Sequence, residues 1–296
     1  MSTDLSSIPL KQRLAARGFD GLTLLVVPAI LFLLALFIYP FLYGLVLSFE
    51  PKQGGMFANY QRFFSDRFLY GTIATTLWLA LPVTIATLLL AIPIAFRVRL
   101  MQNQRLLTTI LVIPITLGTV LVAQGLLNYL GPQGWFNRVL MTAGIISTPV
   151  KLLHNYWGVM LSLVITGFPF TFLLTLSYLS GIDPALEQAG ATLGAGPWER
   201  FKHILLPLLL PGLAITFCLS FVQAFSVFPS AVLLGAPSGP TRVISIAAYQ
   251  AAFEEYDYSM ASAVAMIMGL VQLAIVVVVL AARGLLYRGP AGGGKG

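Results

Sequence analysis

The sequence predicts an all-α membrane protein, a polytopic bundle of six transmembrane helices. Composition gives the first reason: of the 296 residues, 58% are hydrophobic and only 9% are charged, whereas about a quarter of the residues of a soluble domain are charged. The mean hydropathy of +0.89 agrees with this. A soluble protein with so few charges could not cover its own surface, so the predicted solvent for most of the chain is lipid.

Six apolar runs give the second reason. Each is long enough to cross a bilayer core, which takes about 20 helical residues. None contains Asp, Glu, Lys, Arg or His in its interior, where one charge would oppose insertion by about 2.5–3.5 kcal/mol. The first run is too long for a cleaved signal peptide. The predicted spans are residues 22–49, 71–96, 107–130, 156–179, 205–234 and 260–282.

Basic residues indicate the orientation of these spans. The chain has 17 Lys and Arg and 10 Asp and Glu, a net charge of +7. Eleven of the 17 fall on the side of the two termini and six on the other side. The positive-inside rule therefore predicts a cytoplasmic segment 1–21, a membrane domain 22–282 and a cytoplasmic tail 283–296. The charge is a topology signal, and no nucleic-acid partner is predicted.

The sequence contains few motifs that would indicate a metal site, a nucleotide-binding site or a catalytic site. Cys218 is the single cysteine, which excludes an intramolecular disulfide and a thiolate metal site. His154 and His203 fall on opposite sides of the membrane, so no metal site is predicted. The run GPAGGGK at residues 289–295 fits the spacing of a phosphate-binding loop, but no Ser or Thr follows to hold magnesium and no strand precedes it. It is interpreted as a flexible tail, and no catalytic residue is predicted.

Uncharged spans also limit how transport could be driven. Ion-coupled carriers usually need an ionisable group or a dedicated ion cage within the membrane, and no span here supplies a charge, so energy would enter from outside the bilayer. A gradient-driven carrier or a channel acting alone is the alternative. Polar and aromatic side chains of the third and fifth spans could line a pathway or bond to neighbouring helices. These candidates are Gln124, Asn128, Tyr129, Gln223, Ser226 and Phe228.

The most specific segment is the loop 183–207 between the fourth and fifth spans. Asp183 is placed to cap a helix that Pro184 begins, and Glu187 lies near the positive end of its dipole. Gly194 supplies a left-handed stop, after which a second short helix is predicted to begin at residues 196–197. The loop is far too short to span a membrane.

One face of the first predicted loop helix is apolar. Leu186, Ala189 and Leu193 recur at helical spacing, and small residues around Gly190 would let another backbone approach closely. From the periodicity alone, the alternative is a surface loop folded onto the end of the bundle.

This loop resembles the EAA loop of type I ATP-binding-cassette (ABC) importer permeases. In that family a Glu-Ala-Ala triplet, a Gly after three further residues and an Ile-x-Leu-Pro about ten residues later mark the coupling helices. The resemblance covers nearly the whole chain, and residues 144–196 are most similar to the spermidine/putrescine permease subfamily. The matching anchors are Ala189, Gly194, Ala195, Ile204, Leu206 and Pro207.

Two positions depart from the family motif. Gln188 stands at the Glu position and Gly190 at the second Ala position, while Glu187 lies one residue earlier, about 100° around the helix. The resemblance implies that the family's Glu commonly meets basic residues of the ATPase. Either Glu187 takes over that ion pair or the interface does without it.

The resemblance also implies a function and its partners. The chain would be an inner-membrane permease subunit with cytoplasmic coupling helices that forms the pathway of a small solute, a polyamine or similar organic amine. The partners would be a cytoplasmic ATPase dimer, a second permease for which the subfamily favours a paralogue, and a periplasmic substrate-binding protein. ATP and magnesium would belong to the ATPase, and no cofactor to this chain. The implied coupling residues are Glu187, Gln188, Ala189, Gly190, Gly194, Ala195, Ile204, Leu206 and Pro207.

An acidic and aromatic cluster precedes the sixth span on the side away from the termini. Glu254, Glu255 and Asp257 alternate here with aromatic residues, among them Tyr256. Charge pairing and cation–π contact would suit an organic cation. The alternatives are docking of the binding protein and an aromatic belt at the membrane interface.

Overall fold

The computed structural model describes residues 25–286. The predicted cytoplasmic segment 1–21 and residues 287–296 of the predicted tail 283–296, with its GPAGGGK run, lie outside the described residues. Within 25–286 the chain is helical, without strands, and six helices are long and apolar enough to cross a membrane. The predicted fold class is thus confirmed.

Eleven helices make up the described chain. Six are the candidate spans α1, α3, α4, α6, α8 and α11, and the others are short helices at the two ends of the bundle. The bounds are α1 Val27–Ser48, α2 Ala58–Ser65, α3 Arg67–Val98, α4 Gln104–Leu130, α5 Trp135–Thr142, α6 Tyr156–Ser180, α7 Pro184–Thr192, α8 Pro197–Phe225, α9 Pro229–Leu234, α10 Ile244–Tyr249 and α11 Tyr258–Leu286.

The two ends of the bundle differ. One end, called the loop end below, carries α7 and the first turns of α8 in the loop 183–207. The other, called the far end, carries α2, α5, α9 and α10. Wide π turns interrupt α1 at Leu34–Ile38 and α8 at Phe201–Leu205. These two π turns each end two residues before a proline, Pro40 or Pro207, whose ring and missing N–H disturb the regular α-helical pattern, whereas a third, Gln250–Glu254, continues α10 with no proline directly after it.

The predicted fifth span, residues 205–234, is wrong at its end. Helix α8 stops at Phe225, the backbone leaves the helical region at Ser226 (φ −82°, ψ 17°) and is still outside it at Phe228 (φ −134°, ψ −59°), and Pro229 begins the separate helix α9. Proline cannot donate the next helical hydrogen bond, and it disfavours the helical conformation of the residue before it. Hydropathy is continuous across this break, so the composition of the run did not reveal it.

The core lies between α3, α6 and α8. Towards the loop end these helices bury an apolar cluster around Phe172 and Leu209, and towards the far end a larger cluster around Phe63, Phe221 and Phe225 is joined by α9, α10 and α11. Hydroxyl groups pair between the three central helices: Thr171 and Ser220 lie 2.8 Å apart, and Thr171 donates to Thr87 at 3.5 Å. A polar layer therefore separates the two clusters.

Helices α1 and α4 lie at the edge of the bundle with most of their apolar side chains exposed. Helix α4 is also bent, because Gly118 has non-helical angles (φ 75°, ψ 162°) that favour glycine. These two helices present the isolated chain's largest apolar faces for lipid or another subunit to cover.

Candidate functional site

The loop 183–207 folds as its capping chemistry predicts. Asp183 Oδ1 accepts a hydrogen bond from the Ala185 amide at 2.9 Å, which caps α7. Gly194 has φ +87°, and the next amide, of Ala195, donates to Gly190 O at 3.0 Å, so a left-handed stop ends the helix. The Gly196 amide then donates to the Glu199 carboxylate at 2.9 Å, at the start of α8.

Close packing at Gly190 joins the two helices of the loop. Gly190 is buried, and a Cβ atom built on it would lie 2.7 Å from Ile204 Cδ1 and 3.3 Å from Arg200 Cγ. These contacts give a physical reason for glycine at the position where the family motif has its second alanine, since the helices meet where no side chain stands between them.

The opposite face of the loop is open. Leu193 is 88% exposed and Trp198 is 71% exposed, and Gln188 and Ala189 are exposed as well. The predicted apolar face of α7 therefore exists and is not covered by the rest of the described chain. Ile204 packs against Gly190 of α7 and Leu205 is buried, while Leu206 and Pro207 already belong to the spanning part of α8.

Glu187 points towards the bundle. Its carboxylate forms an ion pair with Arg99, which follows α3, and the two side chains are only 17% and 12% exposed. Of the two alternatives drawn from the sequence, this arrangement favours an interface that does without a Glu187 ion pair, because Arg99 already satisfies the carboxylate. Gln188, one residue on, faces outward.

A cavity of about 280 Å³ lies among α3, α4, α6, α8 and α9, beside the larger apolar cluster, four of whose buried residues line it. Gln223, Ser226 and Phe228 line it, as predicted for the pathway. Its wall is otherwise rich in hydroxyl groups and has no charged side chain. The polar residues that line it are Thr87, Thr119, Thr166, Thr171, Ser220, Gln223, Ser226 and Ser230.

The other predicted pathway residues lie elsewhere. Gln124, Asn128 and Tyr129 are exposed on α4 and do not line this cavity. The Asn128 amide donates to Gln124 O at 3.2 Å within its own helix. The structure therefore does not bring the two predicted sets together. Sequence reasoning missed the buried threonines, although several, such as Thr171 and Thr175, repeat on one helix face.

The acidic cluster at the far end is largely paired within the chain. Arg62 Nη atoms lie 3.6 Å from Glu255 Oε2 and 3.9 Å from Asp257 Oδ2, and Lys52 donates to Tyr256 O at 3.0 Å. Asp257 is also buried and accepts from the Met260 amide at 3.1 Å, which caps α11. The cluster thus has a structural role, and Glu254 is its exposed carboxylate with no ion pair among the described residues.

Arg242 is a buried cation at the far end that the sequence analysis counted only for topology. Its Nε donates to Gln250 Oε1 at 2.9 Å, one Nη donates to Phe68 O at 3.1 Å, and its Cζ lies 4.0 Å from the centre of the Phe68 ring. Burial lowers the pKa of Arg242, and the nearby carboxylates, chiefly Glu255, partly offset this. Arg242 thereby ties α10 to the start of α3.

Together these features define a class of protein: a polytopic subunit with a polar cavity inside the bundle and a two-helix loop projecting from one end. Comparison of the sequence with known families identifies the class more specifically. Residues 54–290 match the family described as binding-protein-dependent transport system inner membrane component, and the chain belongs to that family. It is the permease component of an ABC importer that works with a binding protein, a multi-pass inner-membrane subunit of a transport family rather than a catalytic one, and the resemblance to importer permeases is confirmed.

The names of the curated relatives refer to two different substrates. The spermidine/putrescine permease PotB of Haemophilus influenzae is 31% identical over 209 residues, 66% of this chain and 71% of the relative. A probable sulfate permease, cysT, of Prototheca wickerhamii is 29% identical over 177 residues, 60% of this chain and 67% of the relative. The two likenesses are of similar strength.

Solved structures agree on the fold. A chain of a bacterial ABC transporter involved in import of the acidic polysaccharide alginate matches with a TM-score of 0.77 at 21% identity, covering 94% of this chain and 99% of that one. The inward-facing MetNI methionine ABC transporter matches with a TM-score of 0.60 at 16% identity, covering 75% and 97%. At these identities the likeness shows the fold alone.

Proposed function

We propose that the loop 183–207 receives the movement of a separate ATPase dimer and passes it to the pathway helices of this permease. The observation that carries the proposal is the loop's construction. Its two helices are locked together at Gly190, its outer face is apolar and exposed, and it continues directly into α8, which lines the polar cavity. ATP and magnesium bound to the ATPase would supply the energy.

The mechanism is a switch between two packings of one bundle. Closure of the ATPase dimer would shift the loop, and α6 and α8, joined to its two ends, would move with it. The cavity would then open alternately towards each side, with nucleotide favouring one state by binding it more tightly. This chain's own residues form the contact face, the connecting helices and the hydroxyl-lined wall, and they change no bond.

The proposed arrangement of the importer's subunits follows from the predicted orientation of the six spans in the membrane. The segments 1–21 and 283–296, which precede and follow the membrane domain 22–282 in the sequence, would both lie in the cytoplasm. The loop end would face the ATPase. A periplasmic binding protein would deliver the solute at the far end. A second permease, in our proposal a paralogue, would cover part of the exposed faces of α1 and α4.

For the solute we propose a polyamine. The likeness to PotB and the exposed Glu254 beside aromatic residues support a cationic substrate. Sulfate is the second candidate, supported by the likeness to cysT and by a cavity with hydroxyl and amide donors but no carboxylate. The two candidates have opposite charge, so one assay separates them.

That assay measures uptake into proteoliposomes that contain this chain with its ATPase, second permease and binding protein. Labelled putrescine, spermidine and sulfate are supplied in turn, with ATP inside the vesicles. Saturable putrescine or spermidine uptake, with the unlabelled polyamines competing and sulfate not, is the expected result. Uptake of sulfate alone would replace the polyamine proposal by the second candidate.

Gln223→Leu is expected to reduce uptake by about tenfold. Gln223 lines the cavity, and loss of a hydrogen bond made to a passing solute costs about 1–2 kcal/mol. Gln124→Leu is the matched control, since Gln124 is exposed on α4 away from this cavity. Uptake rates of both variants should be compared at equal protein; equal losses would contradict the placement of the pathway.

Gln188→Glu is expected to preserve or tighten ATPase binding, by up to about fivefold. The residue is exposed on α7, and the added carboxylate would restore the family's charge and allow a charge-assisted hydrogen bond worth up to about 1 kcal/mol. The dissociation constant of the purified permease and ATPase measures this. Gln102→Glu is the matched control, because it adds the same charge at the loop end of the bundle but outside the loop 183–207. Clear loss of assembly in Gln188→Glu alone would show that glutamine is required there.

A further inference from the structure

Three elements meet at Arg99. The residue follows α3 directly, and its guanidinium forms the ion pair with Glu187 of α7. The other Nη group donates to Leu179 O, near the end of α6, at 3.4 Å. One side chain therefore connects the ends of two central spanning helices to the first helix of the loop.

Aromatic contacts connect the second helix of the loop to the same place. Phe96, one turn before Arg99, lies edge-on to Phe201 with ring centres 5.4 Å apart, and Phe201 stacks on Trp198 at 5.5 Å. The Arg99 guanidinium lies 5.5 Å from the Phe96 ring centre. The end of α3 thus holds both helices of the loop by two separate contacts.

The register of α7 makes this arrangement possible. Glu187 lies three residues before the buried Gly190, on the face turned towards the bundle, whereas Gln188 is rotated outward by about 100°. Because both charged side chains of the pair are nearly buried, solvent screens them little, and removal of one partner would leave the other charge uncompensated. A pair of this kind favours one geometry strongly over others.

We propose that Arg99 is a positioning residue that clamps the loop to α3 and α6, so that the loop and the central helices move as one body. The role of Arg99 rests on the proposed function of the loop, and Arg99 would be the side chain that transmits the loop's movement to the central helices. Without the clamp, the ATPase would still bind the exposed outer face of α7 and hydrolyse ATP, but the movement would be lost between the loop and the cavity.

The test uses the complete importer in proteoliposomes, with solute uptake and ATP hydrolysis measured on the same sample. Arg99→Gln is expected to lower the amount of solute moved per ATP at least tenfold. Glu187→Gln, which has nearly the same shape as the original side chain, should lower the ratio similarly and serves as the second variant if Arg99→Gln does not fold. The exchanged pair Arg99→Glu with Glu187→Arg should recover at least a third of the original ratio.

Arg97→Gln is the matched control, because it removes the same charge from an exposed position two residues earlier, in the last turn of α3. Its ratio should equal that of the unaltered protein. An unchanged ratio in Arg99→Gln, a proportional fall of uptake and hydrolysis, or no recovery in the exchanged pair would overturn the clamp. Absence of ATP-driven uptake by the unaltered protein would overturn the proposed function itself, so the two failures are distinguishable.

Discussion

Ala189→Trp is expected to abolish most uptake, with a loss of about thirtyfold. Ala189 is exposed on the outer face of α7, near Leu186 and Leu193, so an indole there does not disturb the fold of the chain. It would instead hold the ATPase surface away from the loop, and overpacking of a fitted contact costs about 1–3 kcal/mol or more. Uptake and the amount of ATPase that co-purifies are the measurements.

Ala189→Ser is the control at the same position, since its small side chain should leave uptake within about twofold of the original. The unfolding temperature of both variants should match that of the unaltered permease, because neither side chain enters the core. Normal coupling in Ala189→Trp, with the ATPase bound, would show that the outer face of α7 is not the contact.

Gly212→Val is expected to prevent accumulation of folded permease. Gly212 lies in α8 against α6, and a Cβ atom there would be 2.4 Å from Cγ and 2.9 Å from Cβ of Tyr178. A change of side-chain rotamer could move Cγ, but the Cβ atom of Tyr178 is fixed by the α6 backbone, so a clash remains and the helices would have to separate at a contact that depends on a small residue. The yield of monodisperse protein after extraction and its unfolding temperature measure the effect.

Gly269→Val provides the matched comparison. Gly269 also lies within a spanning helix, α11, but nothing comes within 4 Å of a Cβ atom built on it, so the same β-branched substitution meets open space. We expect near-normal yield for this variant. Similar losses at both positions would mean that the valine acts through helix propensity or membrane insertion, and not through the contact between α6 and α8.

Local chemistry explains why much of the fold could be predicted from the sequence. Charge-free apolar runs specify spanning helices because the bilayer leaves few other options for an unpaired backbone. The caps of the loop were equally predictable, since Asp183 acts on an amide two residues away and Gly194 acts through its own φ angle. Each of these features depends on neighbours within one or two helical turns.

Features that depend on distant residues could not be predicted in the same way. Arg99 and Glu187 are 88 positions apart, and their pairing depends on where α3 ends relative to α7. The cavity wall combines hydroxyl groups of α3, α4, α6, α8 and α9, each of which alone could serve as an ordinary helix contact. The break at residues 226–228 comes directly before Pro229, but hydropathy, which defined the span, does not register it.

The paired acidic cluster illustrates the same limit. Glu255 and Asp257 suggested a cation site because the sequence shows their charge but not their partner, Arg62, which lies on α2 nearly 200 positions earlier. In the folded chain that arginine meets both carboxylates, and Asp257 also caps α11. The candidate cation site is thereby reduced to Glu254 and its aromatic neighbours.

The central claim, that a separate ATPase drives this permease through the loop 183–207, is tested most directly by reconstitution with and without that ATPase. Proteoliposomes containing the two permeases, supplied with loaded binding protein, should accumulate no solute unless the ATPase and ATP are present, whatever ion gradient is imposed. Solute uptake by the permeases alone, driven by an ion gradient, would contradict the account.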